Sequence, residues 1–211
     1  MNNIKSCVID YGLNNISSIK KVLDKLEVKY DVITEARDIS CYTHILFPGV
    51  GAFQEAAKRL RQSKLKDQIV SAVSKGSNIL GICLGMQLFF EGSDEFSSVG
   101  NEKGLELLKG KCLRLDKDIS KNIYVPHVGW NELRIKRHGE LLKGLDSGDE
   151  FYFVHSYRVV PERQDVISST CFHGIEFVST VEHKNIYGTQ FHLEKSFNKG
   201  VMILKNFLDL N

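Results

Sequence analysis

Up to about residue 95, apolar residues either fall in short solid runs or recur every three or four positions. Val8-Ile9, Ile45-Leu46-Phe47 and Ile79-Leu80-Gly81-Ile82 are runs of the first kind. Runs this brief, bounded by Gly or Pro, mark strands buried on both faces. The pattern predicts strands over 5–10, 28–34, 44–47 and 77–82. Between them it predicts a helix starting near Asn14 or Ser17, with Ile16, Ile19, Val22, Leu23 and Leu26 inward, and a second over 53–74. A third follows from Met86. Strands alternating with helices indicate a mostly parallel sheet covered on both faces.

After about residue 100 the period shortens. Segments 111–115, 130–135, 150–159, 165–171, 176–181 and 186–191 alternate like strands separated by turns, and a last helix is expected over 197–210. That half should be antiparallel or mixed sheet. No repeat, low-complexity tract or linker interrupts the chain, so 1–211 reads as one α/β domain.

Composition removes several classes. The chain has 211 residues, 42% hydrophobic and 26% charged, which supports a packed core and excludes disorder, collagen and coiled coil. Lys and Arg total 28 against 26 Asp and Glu, a net charge of +2 that lacks the dense basic field of a nucleic-acid binder. Five cysteines, an odd number with no C-x-x-C, form neither a disulfide framework nor a zinc ribbon. No metal or organic cofactor is expected. The best apolar stretch, 79–90, is too short to span a bilayer, and Met1 to Lys5 does not begin a secretory segment. The expected location is the cytoplasm.

Gly81-Ile82-Cys83-Leu84-Gly85 carries the most chemical information. A G-x-C-x-G step between strand and helix is the thiol form of the nucleophile elbow. It would place the Cys83 sulfur at a helix N-terminus, where dipole and free amides favour thiolate and hold an oxyanion. Alone, the pentapeptide is equally compatible with a buried structural cysteine. Gln190-Phe191-His192-Leu193-Glu194 tips that balance. On a strand, His192 and Glu194 would share a face, as a base and its orienting carboxylate require. Pro48-Gly49-Val50-Gly51 follows the 44–47 strand and should emerge at the same sheet edge. Glycines around Val50 let one peptide turn its N–H toward an oxyanion or away from it. His44, His138, His173 and His183 read as turn or surface residues, and Cys7, Cys41, Cys112 and Cys171 as inert.

The Cys…His-x-Glu order, the P-G-x-G loop and Gly81-Ile82-Cys83-Leu84-Gly85-Met86-Gln87 resemble the class I glutamine amidotransferases. Pro126 to Asn131, Tyr152 to Tyr157 and Glu194-Lys195-Ser196 resemble the branch that serves imidazole glycerol phosphate synthases as glutaminase subunits. The likeness runs over essentially the whole chain. It implies a flavodoxin-like fold and a (β/α)8 barrel cyclase partner in a heterodimer. By the same resemblance, ammonia cut from glutamine would pass into that barrel, which would make imidazole glycerol phosphate and AICAR for histidine biosynthesis. It implies Cys83 as nucleophile, His192 as acid and base, and Glu194 as orienting acid. Leu84 and the Gly49–Val50 peptide would form the oxyanion hole. Gly51, Gln87, His155, Ser156 and Tyr157 would line the glutamine site, and Asn15, His127, Trp130 and Lys195 would meet the barrel.

Two departures stand out. Leu193 replaces the proline of the family's His-Pro-Glu, and Asn14 replaces the second glycine of its Y-G-x-G-N opening. Leu193 should point away from Cys83; Asn14 tolerates positive φ less well than Gly. They keep one alternative open, a paralogue supplying ammonia to a cyclase-like partner that makes amidino sugars for surface polysaccharides. A second alternative, a barrel-binding regulatory subunit without turnover, has the complete Cys83, His192 and Glu194 set against it.

Overall fold

A computed structural model describes residues 4–95, 102–117 and 123–210. The first half holds β1 (Ser6–Ile9), α1 (Ile16–Lys25), β2 (Tyr30–Ile33), β3 (His44–Gly49), α2 (Phe53–Gln62), α3 (Leu65–Ser74), β4 (Asn78–Cys83) and α4 (Leu84–Gln87). The second holds β5 (Gly92–Ser93), β6 (Gly110–Arg114), β7 (His127–Glu132), β8 (Arg134–Ile135), β9 (Glu150–His155) and β10 (Tyr157–Pro161). It ends with β11 (Ile167–His173), β12 (Ile175–His183), β13 (Ile186–Thr189) and α5 (Phe197–Leu208).

The main sheet has eight strands in the order β2-β1-β3-β4-β13-β12-β11-β8. Its first five strands run parallel and the rest antiparallel, so the mixed α/β reading holds. Side chains alternate across it. Cys7, Ile9, Ile45, Phe47 and Ile79 join one core with the inward residues of α2 and α3. Val8, Leu46, Leu80 and Ile82 join a second core with those of α1 and α5. Burial on both faces is what the solid apolar runs require. The other strands form a three-stranded sheet, β10-β6-β5, and the pair β7-β9.

Several expected elements divide. The helix over 53–74 is two helices, because Lys64 adopts φ 60° between them. In one continuous helix Leu60 and Leu65 would lie about 140° apart. The break turns both into the core, at 1% and 0% exposure. The strand over 150–159 bends at Ser156, handing the chain from β7's partner to β6's partner. The strand over 130–135 likewise splits between β7 and β8, which belong to different sheets. His44 is not a surface residue; it is 2% exposed in β3, edge-on to Phe207 at 5.2 Å. Among the cysteines, Cys7, Cys112 and Cys171 are buried, and burial raises all three thiol pKa values.

Candidate active site

Strand register brings three chain segments to one sheet edge. Gly49 pairs with Cys83 on one side of β4, and Thr189 with Ile82 on the other. The P-G-x-G loop, the elbow and the Gln190–Glu194 segment therefore leave adjacent parallel strands at their carboxyl ends, where open α/β sheets hold ligands.

The elbow has the backbone its sequence predicts. Cys83 sits at φ 55°, ψ −111°, a conformation costly for any residue with a Cβ. A Cβ at Gly85 would run into the Phe47 carbonyl, and one at Gly81 would lie 2.7 Å from Met86 N. Both neighbours of this turn must therefore lack a side chain. The helix that follows is shorter than expected, a single turn over Leu84–Gln87. One turn carries little macrodipole, so support for a sulfur anion falls to local groups. The Leu84 N–H is the first of that turn and has no intrahelical acceptor.

His192 and Glu194 do meet, though not by strand alternation. β13 ends at Thr189, and Leu193–Lys195 form a 3-10 turn. That turn brings His192 Nδ1 to 2.8 Å from Glu194 Oε1, both side chains almost fully buried. Ser196 clamps the segment: its hydroxyl donates to the His192 carbonyl at 2.6 Å and accepts Tyr152 N–H at 3.1 Å. His192 Nε2 is buried with no hydrogen-bond partner of ordinary geometry. Burial alone would lower this imidazole's pKa; the Cys83 sulfur and the Glu194 carboxylate outweigh burial and raise it. Leu193 is buried in the second core, so the missing proline leaves the pair intact.

A cavity of about 390 Å³ opens over Cys83. Among the expected site residues, Val50, Gly51, Leu84, Gln87, His155, Ser156, Tyr157 and His192 line it, with Asn15 and Lys195 also on its wall. Gly49 lies beneath it as Cys83's strand partner. Val50 N–H does not face the cavity's sulfur; it donates to the Leu13 carbonyl at 3.0 Å. Asn14 keeps that opening loop in place without positive φ, its amide donating to the Ile9 carbonyl at 3.2 Å.

His127 is a correction. Expected at a docking surface, it is 4% exposed and stacks on Phe153 and His173. Its neighbour Trp130 is 43% exposed and stacks on Phe197 at 5.1 Å. Lys195 is exposed with its ammonium over the Tyr152 ring. His127 belongs instead to a buried hydrogen-bond chain. The Tyr157 carbonyl accepts from His155 Nδ1 at 2.8 Å, which leaves His155 Nε2 as acceptor for His127 Nδ1 at 3.1 Å. His127 Nε2 then accepts from Asn131 at 3.3 Å. Burial, with neighbouring histidines, pushes His127 down to about 4 and His155 to about 3, so both rings are neutral.

Glu95 carries no signal in the sequence, and Val154 and Gln190 stand inside recognisable segments that assign them no role. Glu95 lines the cavity, accepts Phe53 N–H at 2.6 Å, and has its pKa raised by burial. No motif flanks it. Among the described residues, no group of His, Cys, Asp and Glu is arranged to hold a metal, and no helix is long and apolar enough to cross a membrane.

A buried sulfur on a strained elbow, beside an imidazole held by a carboxylate at the same sheet edge, has the makings of acyl transfer through a thioester. The fold and sequence carry this to a family: the model for glutamine amidotransferase class-I matches residues 7–210, and the chain belongs to that family. It is 41% identical over 203 residues to "Imidazole glycerol phosphate synthase subunit HisH" of Moorella thermoacetica, covering 96% of this chain and 93% of that protein. It is 42% identical to the protein of the same name from Aquifex aeolicus, over 97% of this chain and 96% of that one. Among solved structures, PurLQS from Thermotoga maritima superposes with a TM-score of 0.75 at 18% identity, over 98% of both chains. A glutamine amidotransferase from Thermotoga maritima gives 0.65 at 14%, over 99% of this chain and 85% of that one. Those two likenesses establish the fold.

Proposed function

We propose that the chain is the glutaminase subunit of an imidazole glycerol phosphate synthase, acting in the cytoplasm in histidine biosynthesis, with 1–211 as one amidotransferase domain. The carrying observation is the convergence of Cys83 and His192 on one cavity, with Glu194 held on the far side of the His192 ring, in a chain about 40% identical over nearly its whole length to subunits of that name. In this reading Cys83 attacks the side-chain amide carbon of L-glutamine. His192, its imidazolium favoured by Cys83 and Glu194, protonates the nitrogen of the tetrahedral adduct, the C–N bond breaks, and ammonia leaves behind a thioester on Cys83. His192 then takes a proton from water, which adds to the thioester and releases glutamate.

The cavity walls suit the amino-acid end. Glu95 offers a half-buried carboxylate to the α-ammonium, and the Ser156–Tyr157 bend offers main-chain groups. The oxyanion needs the Leu84 amide and a second donor. The Val50 amide can serve once it leaves the Leu13 carbonyl, so the structure as described is the slow form. Trp130, Phe197, Val128 and Lys195 present an exposed aromatic and basic face beside the cavity, the proposed seat of the (β/α)8 barrel cyclase. Neither Leu193 nor Asn14 disturbs the site, so no observation favours the sugar-amidinating or the turnover-free alternative.

The test is to mix the chain with a candidate barrel cyclase and measure glutamate release with and without the cyclase's ribotide substrate. A labelled glutamine-mimicking diazo ketone should map to Cys83. Labelling elsewhere, or no glutamate in the mixture, would sink the reading.

A further inference from the structure

Triad chemistry does not require Gln190, yet this residue is fully buried and its amide nitrogen lies 3.7 Å from the Cys83 sulfur. Register puts it there: Thr189 pairs with Ile82, so the next residue of each strand falls side by side. Its own N–H is tied to the Ser179 carbonyl at 2.9 Å.

Which end of the amide faces the sulfur follows from its neighbours. The Tyr157 carbonyl can only accept, so the Gln87 atom 3.2 Å from it is Nε2. That nitrogen also lies 3.0 Å from Gln190, whose facing atom must be Oε1. With Oε1 committed to Gln87, the N–H of Gln190 points at sulfur. The chain Tyr157–Gln87–Gln190–Cys83 thus has one consistent direction, and it starts from an acceptor that cannot reverse.

We propose that Gln190 is a further catalytic residue, a fixed N–H donor to the Cys83 thiolate; the inference deepens the amidotransferase reading and rests on it. The sulfur also lies 3.9 Å from the Val154 main-chain carbonyl, which suits a thiol S–H and repels an anion. When the thiolate attacks, the C–S bond forms and the amide carbonyl's π pair moves to oxygen, leaving little charge at sulfur. When water has added to the thioester, the C–S bond breaks, its electron pair returns to sulfur, and glutamate departs. Gln190 therefore supports the anion before acylation and as the leaving group after it. A hydrogen bond to a charged group is worth roughly tenfold or more in rate or equilibrium.

Two variants separate donation from packing. Gln190→Glu keeps the shape and an oxygen for Gln87 but turns an oxygen toward the sulfur. Gln190→Met keeps the volume and removes both bonds. The readout is alkylation of Cys83 by iodoacetamide at pH 7 in the full chain, followed on the Cys83 peptide so that exposed Cys41 is not counted. The rate should fall roughly tenfold in the Met variant and further in the Glu variant, where repulsion adds to the lost donor. Glutamine turnover with the barrel partner should fall in the same order. Unchanged alkylation in a folded variant overturns the proposal; should the Glu variant melt below the assay temperature, the Met variant, which buries no charge, decides. Alkylation needs neither glutamine nor partner. Wild-type chain that alkylates but never releases glutamate would therefore defeat the amidotransferase reading separately.

Discussion

The chain before residue 95 and the chain after 102 build the two walls of one cavity by different means. The first contributes backbone: the strained Cys83, its two flanking glycines, the Leu84 amide and the Val50 peptide. The second contributes side chains held by other side chains: His192 by Glu194 and His155 by His127 within it, and Gln190 by Gln87 reaching across from the first. A backbone site depends on what cannot be added, since one Cβ destroys it. A side-chain site depends on register between strands far apart in sequence, and fails when one partner is lost. The two walls should therefore respond differently to substitution.

The largest effect should come from Cys83→Ala, which should lower glutamine-dependent synthesis in the complex by about 10⁶-fold. Synthesis from added ammonium salts should survive, because ring closure belongs to the partner. Loss of both in a folded complex would break the division of labour. Glu194→Gln should cost on the order of 10⁴-fold, less than the nucleophile, because an orienting group acts through the base. Steady-state kcat decides; an equal or larger loss would take the general base away from His192.

Next comes the backbone wall's movable part. Val50 N–H is held by the Leu13 carbonyl, and a single oxyanion donor is worth about 10²–10³ in rate. Val50→Pro removes that N–H. It should lower the partner-stimulated rate by about that factor and leave the slow rate of the isolated chain nearly unchanged. If the isolated chain already turns over as fast as the liganded complex, gating at this peptide is refuted. The energy for the turn must come from the partner's differential binding, since the Leu13 bond has to be broken.

The same contrast explains what can be read from sequence. The elbow is legible because sterics demand glycine at fixed spacing, and Gly81 and Gly85 sit where a Cβ would collide. The parallel strands are legible because burial on both faces leaves solid apolar runs. His192 and Glu194 are recognisable as a pair, but strand alternation is the wrong local reason, since a 3-10 turn joins them. Glu95 leaves no trace, and Gln190 is visible only as the start of the His192 segment, because their roles arise from segments brought together by folding. The break at Lys64 is hidden too: no Gly or Pro marks it, and only the need to bury both Leu60 and Leu65 accounts for it. His127 shows the limit of analogy. The family likeness puts it at a docking face, while its ring is packed behind Trp130's strand among Phe153, His155 and His173.

The smallest expected effect belongs to that histidine chain and concerns stability. Folding depresses His127 to about 4 and His155 to about 3, chiefly by burial. The unfolded chain titrates at about 6.5. Between those values the unfolded state binds protons that the folded state refuses, so stability rises with pH there. It is present in full above about pH 6.5 and drains as pH falls toward the folded values. Each ring accounts for a slope of about 1.4 kcal/mol per pH unit within that window. Replacing both rings by amides, His127→Gln with His155→Gln, keeps hydrogen-bonding groups and removes the titration. The double variant should be less stable at pH 7 through lost packing, yet its melting temperature should fall less between pH 6.5 and 5 than that of the wild type. Parallel melting curves over that range would show that the two rings admit protons in the folded chain. The buried chain from Asn131 to Tyr157 would then not hold His155 neutral, and the side-chain wall would owe its order to packing alone.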